Sequence, residues 1–266
     1  MSNSPLYMSR ARLKTARGEA LSAIAPLLLR GSKGDTVGHA HRILWMLFQG
    51  RGEDEKRDFL WREEMPGHYL ILSQRPPEDS NHLFDIDTKD FAPELSAGDR
   101  LAFNLRANPV VSRKAEGARL GKQDGKGRVR SVRCDIIMDA LHPLGGFKGP
   151  RDENGQTERA AKRDAILAEV AQSWIGSQGE RHGFKLVLNP DNDKPYLGAS
   201  NYETIQIPRM KDGKLVQRTQ FATFGLLDFA GMIEVTDPML FLTQLVKGFG
   251  KAKAFGCGLM LIKRAA

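Results

Sequence analysis

The sequence is poor in cysteine and has no long apolar run. Its two cysteines, Cys134 and Cys257, lie far apart, and neither belongs to a CxxC or CxxH motif. This usage argues against a structural zinc site and predicts reduced thiols in the cytoplasm. No stretch reaches the ~18–20 consecutive apolar residues that a membrane span needs. The N-terminal segment has no apolar core after its charges, so we expect neither a secretory signal nor a membrane partner.

The charge balance is basic. Lys and Arg number 40 against 32 Asp and Glu, which gives a net charge of +8. A basic balance favours a polyanionic partner, because cations that neutralise phosphates release condensed counterions. Many basic proteins bind no nucleic acid, however, so the placement of the charges matters more than their sum. The apolar share of 41% and the charged share of 27% are those of an ordinary globular protein.

Hydrophobic periodicity in the first third of the chain predicts a strand, a helix, two strands, a connector and a fourth strand. This is the βαββαβ order of a ferredoxin-like unit. An additional Ala- and Leu-rich helix is predicted over 15–29. The main elements are a strand over 5–13, a helix from Asp35 or Thr36 to before Gly50, strands over 57–64 and 68–75 around Pro66-Gly67, and a strand over 82–87.

The rest of the chain repeats this order of elements without repeating the sequence. We predict strands over 100–111, 129–137, 183–188, 201–207, 215–224, 224–235 and 255–263, a helix over 157–175 that Gly176 ends, and a helix capped by Asp237. Lys211-Asp-Gly-Lys214 forms the predicted tip of a hairpin. The sequence therefore predicts an α+β fold of two tandem ferredoxin-like (RRM-like) domains, over residues 1–92 and 99–266.

A glycine-rich segment lies near the C-terminus, over 248–260. It reads Gly-Phe-Gly-Lys-Ala-Lys-Ala-Phe-Gly-Cys-Gly-Leu-Met and joins a helix to a strand. Glycines allow backbone amides to approach phosphates closely and to adopt positive φ. In the alternative interpretation, Gly248 is an ordinary helix cap, and Gly256 and Gly258 permit close packing of a strand. Nucleotide-binding loops are excluded, because they follow a strand and open a helix.

This segment resembles the glycine-rich loop of the CRISPR repeat-RNA endoribonucleases, and its GxGxAKxxGCGL form is similar to the CasE branch of type I-E systems. Three further matches occur in the family's order: Tyr7-Met-Ser-Arg10; His41-x-x-Leu-Trp-x-Leu-Phe48 followed by Arg57-Asp-Phe-Leu60; and Leu105-Arg-Ala-Asn-Pro-Val110. The resemblance implies cleavage of a hairpin repeat in precursor CRISPR RNA, without a metal or other cofactor. It also implies retention on the 3′ hairpin of the product and assembly with the other subunits, including the backbone protein, of the Cascade complex.

The resemblance places His41 at the position of the family's catalytic histidine. Cleavage without a metal uses the 2′-hydroxyl of the RNA as nucleophile and leaves a 2′,3′-cyclic phosphate and a 5′-hydroxyl. Histidine suits the proton transfer because its ordinary pKa of about 6.5 lies near working pH. On the helix, His41 lies at the edge of the apolar face beside Trp45. From the residues alone, His41 is equally a half-buried histidine with one hydrogen bond.

Relatives often carry a tyrosine one helical turn before this histidine, where this chain has Gly38. The second acid–base partner is therefore unassigned. Lys251 and Lys253 are candidates to stabilise the charge of the phosphorane.

Basic residues are predicted to hold the RNA. A cation-rich insertion follows Arg113, and cations near a helix N-terminus fit phosphate contact better than helix stability. The alternative for the insertion is a merely solvated loop. The predicted RNA-binding residues are Arg106, Arg113, Lys114, Arg159, Lys162, Arg163, Arg209, Lys211, Lys214, Arg218, Gly248, Gly250, Lys251, Lys253, Gly256 and Gly258.

Two other functions compete with the endoribonuclease. The absence of the tyrosine favours a non-catalytic subunit that binds the CRISPR RNA hairpin. A general RRM-like RNA chaperone is the third candidate, although the aromatic pattern of RRM domains is absent.

Overall fold

The computed structural model describes residues 5–14, 33–48, 57–114, 131–142, 158–208, 210–211, 214–215, 217 and 221–265. The predicted helix over 15–29 lies outside these residues. The predicted α+β class is confirmed, with two main antiparallel sheets. Within the described ranges, no helix is both long and apolar enough to cross a bilayer.

The first sheet has the strand order β2-β3-β1-β4, with all pairs antiparallel. Burial alternates along β1, so that Ala11 and Leu13 face the core while Arg10 and Arg12 face solvent. Helix α1 covers the inner face with Ala40 and Leu44. The elements are β1 (Tyr7–Leu13), α1 (Lys33–Trp45), a 3-10 turn (Met46–Phe48), β2 (Phe59–Met65), β3 (His68–Ser73) and β4 (Phe84–Asp90).

Strand β3 is buried on both faces, which explains its continuous apolar run. Tyr69 and Ile71 pack under α1. Leu70 and Leu72 point the other way and form a cluster with Leu60 and with Leu259 from the end of the glycine-rich segment. The first sheet is thus sandwiched between its own helix and the second half of the chain.

The second sheet has the order β13-β5-β12-β8, with β9 also paired to β12. Its core contains Phe103, Leu105, Trp174, Phe229 and Phe241. Two ribbons, β6–β7 and β10–β11, stand apart from it. The elements are β5 (Arg100–Ala107), β6 (Val110–Lys114), β7 (Ser131–Asp135), α2 (Ile136–Ala140), α3 (Glu158–His182), β8 (Phe184–Leu186), β9 (Leu197–Ile207), β10 (Met210–Lys211), β11 (Lys214–Leu215), β12 (Ala222–Val235), α4 (Pro238–Lys247), a 3-10 turn (Lys253–Phe255) and β13 (Met260–Arg264).

Several predicted boundaries were wrong. The extended piece over 129–137 ends earlier, because Asp135 caps α2 through bonds to the amides of Ile137 and Met138. The strand predicted over 224–235 begins earlier, because β12 starts at Ala222 and includes the last residues of the arm predicted over 215–224. The last strand begins at Met260 instead of residue 255, because the chain first makes a 3-10 turn.

Helix α3 does not end at Gly176 but continues to His182. Its buried stripe extends to Gln178, so packing outweighs the roughly 1 kcal/mol that glycine costs inside a helix. The helix ends before Gly183, where φ is +75°. Gly179 lets β8 approach closely, because a Cβ there would lie 2.2 Å from the carbonyl oxygen of Phe184.

We expect Gly179→Ala to lower the free energy of unfolding by about 1–3 kcal/mol, because the new methyl group overlaps a buried backbone carbonyl. Gly176→Ala is the matched control: a Cβ there meets nothing within 4 Å, and it should raise stability by about 0.5–1 kcal/mol. Equilibrium denaturation with urea measures both. Equal effects of the two substitutions would contradict the close-approach explanation.

Candidate active site

His41 lies on α1 between the helix's own sheet and the glycine-rich segment. Its neighbours Ala40 and Leu44 are buried in the first core, whereas His41 itself is half-buried at the edge of that face. The ring centroid of Phe255, in the glycine-rich segment, lies 6.0 Å from that of His41. Phe255 in turn stacks on Phe224 of β12 at 5.5 Å. Residues from both halves of the chain therefore surround this imidazole.

The indole of Trp45 fixes the protonation of the imidazole. Trp45 Nε1 donates a hydrogen bond of 2.8 Å to His41 Nε2, with the rings edge to face at 6.2 Å. Because the indole is a donor only, Nε2 must accept with its lone pair, and the neutral ring carries its proton on Nδ1. His41 is thus half-buried with one hydrogen bond, and it contacts Phe255 in the second half of the chain. Its catalytic role stays a prediction.

The surroundings of His41 keep it neutral at pH 7. Burial, followed by the positive charges of Arg57 and Arg42, lowers the pKa of His41 to about 4. An imidazole with this pKa is a proton acceptor at neutral pH and is not charged. Positive charge at the site must therefore come from other side chains.

The glycine-rich segment packs tightly on the first sheet and on the turn after β5. A Cβ at Gly256 would lie 3.0 Å from the Trp61 ring, and one at Gly250 would lie 2.6 Å from the carbonyl oxygen of Asn108. Gly248 caps α4 at φ +73°. These contacts support the alternative in which the glycines serve close packing.

Several amides of this segment bond to the protein itself. Phe249 N donates to Gly258 O at 2.9 Å, Lys251 N to Asn108 O at 3.0 Å, and Gly258 N to Arg106 O at 2.7 Å. An amide that is already bonded has no proton to offer a phosphate. Contact of the RNA with the four predicted glycines stays a prediction.

Lys251 and Lys253 line a cleft of about 1060 Å³ between α3, the β6–β7 ribbon and the glycine-rich segment. Burial lowers the pKa of Lys253, and the charges of Lys251 and Arg57 add to this effect. The charged residues that line the cleft are Arg113, Arg133, Arg181, Lys251 and Lys253, with Asp139 and Glu169. The cleft is therefore predominantly positive.

Two of the predicted RNA-binding arginines form ion pairs with aspartates. Arg106 donates to both oxygens of Asp228 at 2.7 and 2.8 Å, across the β5–β12 pair. This bidentate bond raises the pKa of Arg106. Arg113 on the β6–β7 ribbon bonds Asp139 at 2.6–3.2 Å. Any contact of these arginines with RNA must use guanidinium N–H groups that are not bonded to Asp228 or Asp139.

The other predicted residues are dispersed over the second half of the chain. Lys162 is exposed and Arg163 half-buried near the start of α3. The backbones of Lys211 and Lys214 are paired in the antiparallel β10–β11 ladder, which confirms the predicted hairpin. The backbones of Lys114 and Arg159 lie in β6 and α3. Arg209 and Arg218 are outside the described residues.

Sequence reasoning missed three residues of the site: Trp45, Arg57 and Phe255. All three lie within the motifs quoted above, yet none was given a role. Spacing on α1 already places Trp45 one turn after His41, whereas nothing local indicates that Arg57 or Phe255 would lie near it. In the part of the chain that the structure describes, no three His, Cys, Asp or Glu side chains are grouped so as to hold a metal ion.

Comparison with known proteins agrees with this architecture. The family model for "CRISPR associated protein" matches residues 6–264. The CRISPR system Cascade subunit CasE of Escherichia coli is 24% identical over 225 residues, which cover 83% of this chain and 88% of that protein. The CRISPR-associated endoribonuclease Cse3 of Thermus thermophilus is 24% identical over 231 residues, covering 84% and 87%.

Solved structures show the same fold. CRISPR endoribonuclease Cse3 bound to a 19-nucleotide RNA superimposes with a TM-score of 0.59 at 22% identity, over 97% of this chain and 99% of that one. Thermus thermophilus Cse3 bound to an RNA that represents a pre-cleavage complex gives 0.59 at 20% identity, with the same coverage. A chain of a CRISPR RNA-guided surveillance complex gives 0.51 at 14% identity, over 97% and 100%.

The chain is a CRISPR-associated protein, since the family model covers nearly all of it. Within that class it belongs to the CasE/Cse3 family, as the glycine-rich segment and its companion motifs predicted.

We expect Trp45→Phe to raise the pKa of His41 from about 4 toward the ordinary value, because the lost hydrogen bond favours the neutral ring. NMR titration of the histidine ring protons measures this, with the His41 signal assigned from a His41→Gln variant. Trp174→Phe, in the second core, is the control and should leave that pKa unchanged. An unchanged or lower pKa in Trp45→Phe would rule out the assigned hydrogen bond.

Proposed function

We propose that this chain is an endoribonuclease that cleaves the hairpin repeat of precursor CRISPR RNA without a metal ion. The observation that carries the proposal is a neutral imidazole with an acceptor nitrogen, held where the two halves of the chain meet and surrounded by cations. Membership of the family and the endoribonuclease named Cse3 among the relatives support it.

In the proposed reaction, His41 is the general base. The 2′-hydroxyl of the nucleotide before the cut replaces the Trp45 N–H at His41 Nε2 and gives its proton to that nitrogen. The 2′-oxygen attacks the adjacent phosphorus, and the bond from phosphorus to the 5′-oxygen breaks. A 2′,3′-cyclic phosphate and a 5′-hydroxyl result, the leaving oxygen taking a proton from solvent. Lys251 and Lys253 offset the negative charge of the phosphorane.

We also propose that the two sheets are two ferredoxin-like domains, over residues 1–92 and 99–266. The order β2-β3-β1-β4 in one sheet matches β8-β12-β5-β13 in the other when β5, β8, β12 and β13 are counted as the first to fourth strands of the second unit. In both halves the two strands that are central in the sheet are the first and third of the unit. The first half departs from the full plan, because residues 74–83, all of them described, contain no helix between β3 and β4.

After cleavage, the protein is proposed to stay on the 3′ hairpin of its product in the cytoplasm and to act as a subunit of Cascade beside the backbone protein. A chain of similar fold in an RNA-guided surveillance complex supports this assembly. The basic cleft, the β6–β7 ribbon and the cations of α3 are the surfaces proposed to hold the stem.

A non-catalytic hairpin-binding subunit is the second candidate. It is favoured by Gly38, one helical turn before His41, where an added Cβ would meet nothing within 4 Å. No side chain at this position can assist the proton transfer, so His41 acts without that neighbour or the chain does not cleave.

The decisive experiment compares wild type with His41→Ala on a labelled hairpin RNA that carries the repeat of the CRISPR array in the same genome. With EDTA present, we expect His41→Ala to cleave about 10²–10⁴-fold more slowly and to bind with unchanged affinity. Unaltered cleavage by His41→Ala would remove His41 from the mechanism.

A substrate with a single 2′-deoxynucleotide at the cut site is the matched control on the RNA side. It should be bound and left intact, because it lacks the nucleophile. Cleavage of this substrate would contradict the 2′-hydroxyl mechanism, and failure of wild type to cut the unmodified RNA would favour the non-catalytic subunit.

A further inference from the structure

Arg57 is held by packing in a fixed relation to His41. It lies just before β2, with its guanidinium carbon 5.9 Å from the centroid of the Phe59 ring. The Phe59 ring meets Trp45 edge to face at 5.3 Å, and Trp45 is bonded to His41. Arg57, Phe59, Trp45 and His41 thus form one packed series of side chains that connects the cation to the imidazole.

The charge of Arg57 is not offset by a carboxylate among the residues that the structure describes. The adjacent Asp58, whose side chain is only 3% exposed, pairs instead with Arg75 at 3.0 Å. Arg106 and Arg113, by contrast, are each paired with an aspartate. Arg57 Nε is buried and has no hydrogen-bond partner within the described part of the chain.

A buried N–H without a hydrogen-bond partner destabilises the folded protein, so its presence calls for an explanation. A partner that arrives with the substrate provides one. A guanidinium presents two parallel N–H groups that match the oxygens of a phosphate. A guanidinium also remains positively charged at neutral pH, whereas the imidazole of His41 is neutral there.

Arg57 acts electrostatically on both candidate groups of the site, His41 and Lys253. Its charge lowers the pKa of His41 and the pKa of Lys253. The titratable groups that interact with the charge of Arg57 are therefore His41 of α1, Lys253 of the glycine-rich segment and the buried thiol of Cys257. A phosphate bound beside His41 would be attracted by the charge of Arg57 as well.

We propose that Arg57 is a catalytic residue, whose guanidinium binds the non-bridging oxygens of the scissile phosphate and stabilises the phosphorane while His41 takes the proton. This assignment rests on the proposed endoribonuclease function. Arg57 forms and breaks no covalent bond, so the proton and bond balance of the reaction is that given above. The alternative is that Arg57 only packs on Phe59.

Single-turnover cleavage of the repeat hairpin RNA by Arg57→Met and Arg57→Lys tests the proposal. We expect Arg57→Met to cleave about 10²–10³-fold more slowly, as when one donor to a transition-state oxyanion is removed. Arg57→Lys keeps the stem on Phe59 and one charge, and we expect a loss of about tenfold. Affinity for the 2′-deoxy RNA should change less than about threefold in both. Arg264→Met, which removes an exposed cation of β13, is the control for net charge and should cleave as wild type does.

Sulfur substitution of a non-bridging oxygen at the cut site gives a readout that packing does not affect. The modified RNA should slow wild type more than it slows Arg57→Met, because the variant has already lost the contact. Equal effects on both would overturn the proposal, as would cleavage by Arg57→Met within about threefold of wild type. Should Arg57→Met fail to fold by circular dichroism, Arg57→Lys carries the test, and wild-type rates in that variant would equally overturn the proposal.

The outcome also separates this inference from the function on which it rests. If wild type does not cleave, the proposed function fails. If wild type cleaves, His41→Ala does not, and Arg57→Met cleaves normally, the function stands and the role of Arg57 falls.

Discussion

The site depends on one contact between the first sheet and the glycine-rich segment, the packing of Gly256 against the indole of Trp61. Trp61 belongs to β2, and its Nε1 also donates to the carbonyl oxygen of Ala254 at 3.3 Å. A Cβ at Gly256 would lie 3.0–3.3 Å from three atoms of this ring, so the ring or the segment would have to shift. Because Phe255 lies between these two positions, the same contact brings it to His41. A backbone approach thus sets the distance between the helix that carries the imidazole and the segment that carries the lysines.

The site combines a neutral imidazole with positively charged side chains around it. His41 is desolvated and neutral, which leaves its lone pair for a proton, while the cations around it depress its pKa. In water such clustered cations repel one another weakly, but partial burial strengthens the repulsion. An anion bound among these cations would lower this repulsion. The clustered charges therefore favour the phosphate of the proposed RNA substrate.

Much of the fold and part of the site could be predicted from the sequence. The features that could not be predicted depend on tertiary contacts. The order of elements, the position of His41 at the edge of its helix and the tip of the Lys211–Lys214 hairpin follow from local periodicity and turn residues. The pairing of Arg106 with Asp228 and the contact of Phe255 with His41 join residues that lie far apart in the chain, which no local pattern encodes. Gly176 misled the prediction because the tertiary packing of Trp174 and Gln178 carries α3 past it.

One face of the first sheet is apolar and is covered by the second half of the chain, so the first half depends on the second to keep this face away from water. Leu60, Leu70 and Leu72 are covered by Leu259 and its neighbours near the end of the chain. During synthesis these leucines emerge long before Leu259 does, and until then they form an exposed apolar face on a sheet with free edges. The nascent first half is thus prone to aggregation until the glycine-rich segment, which also completes the site, has been synthesised and covers this face.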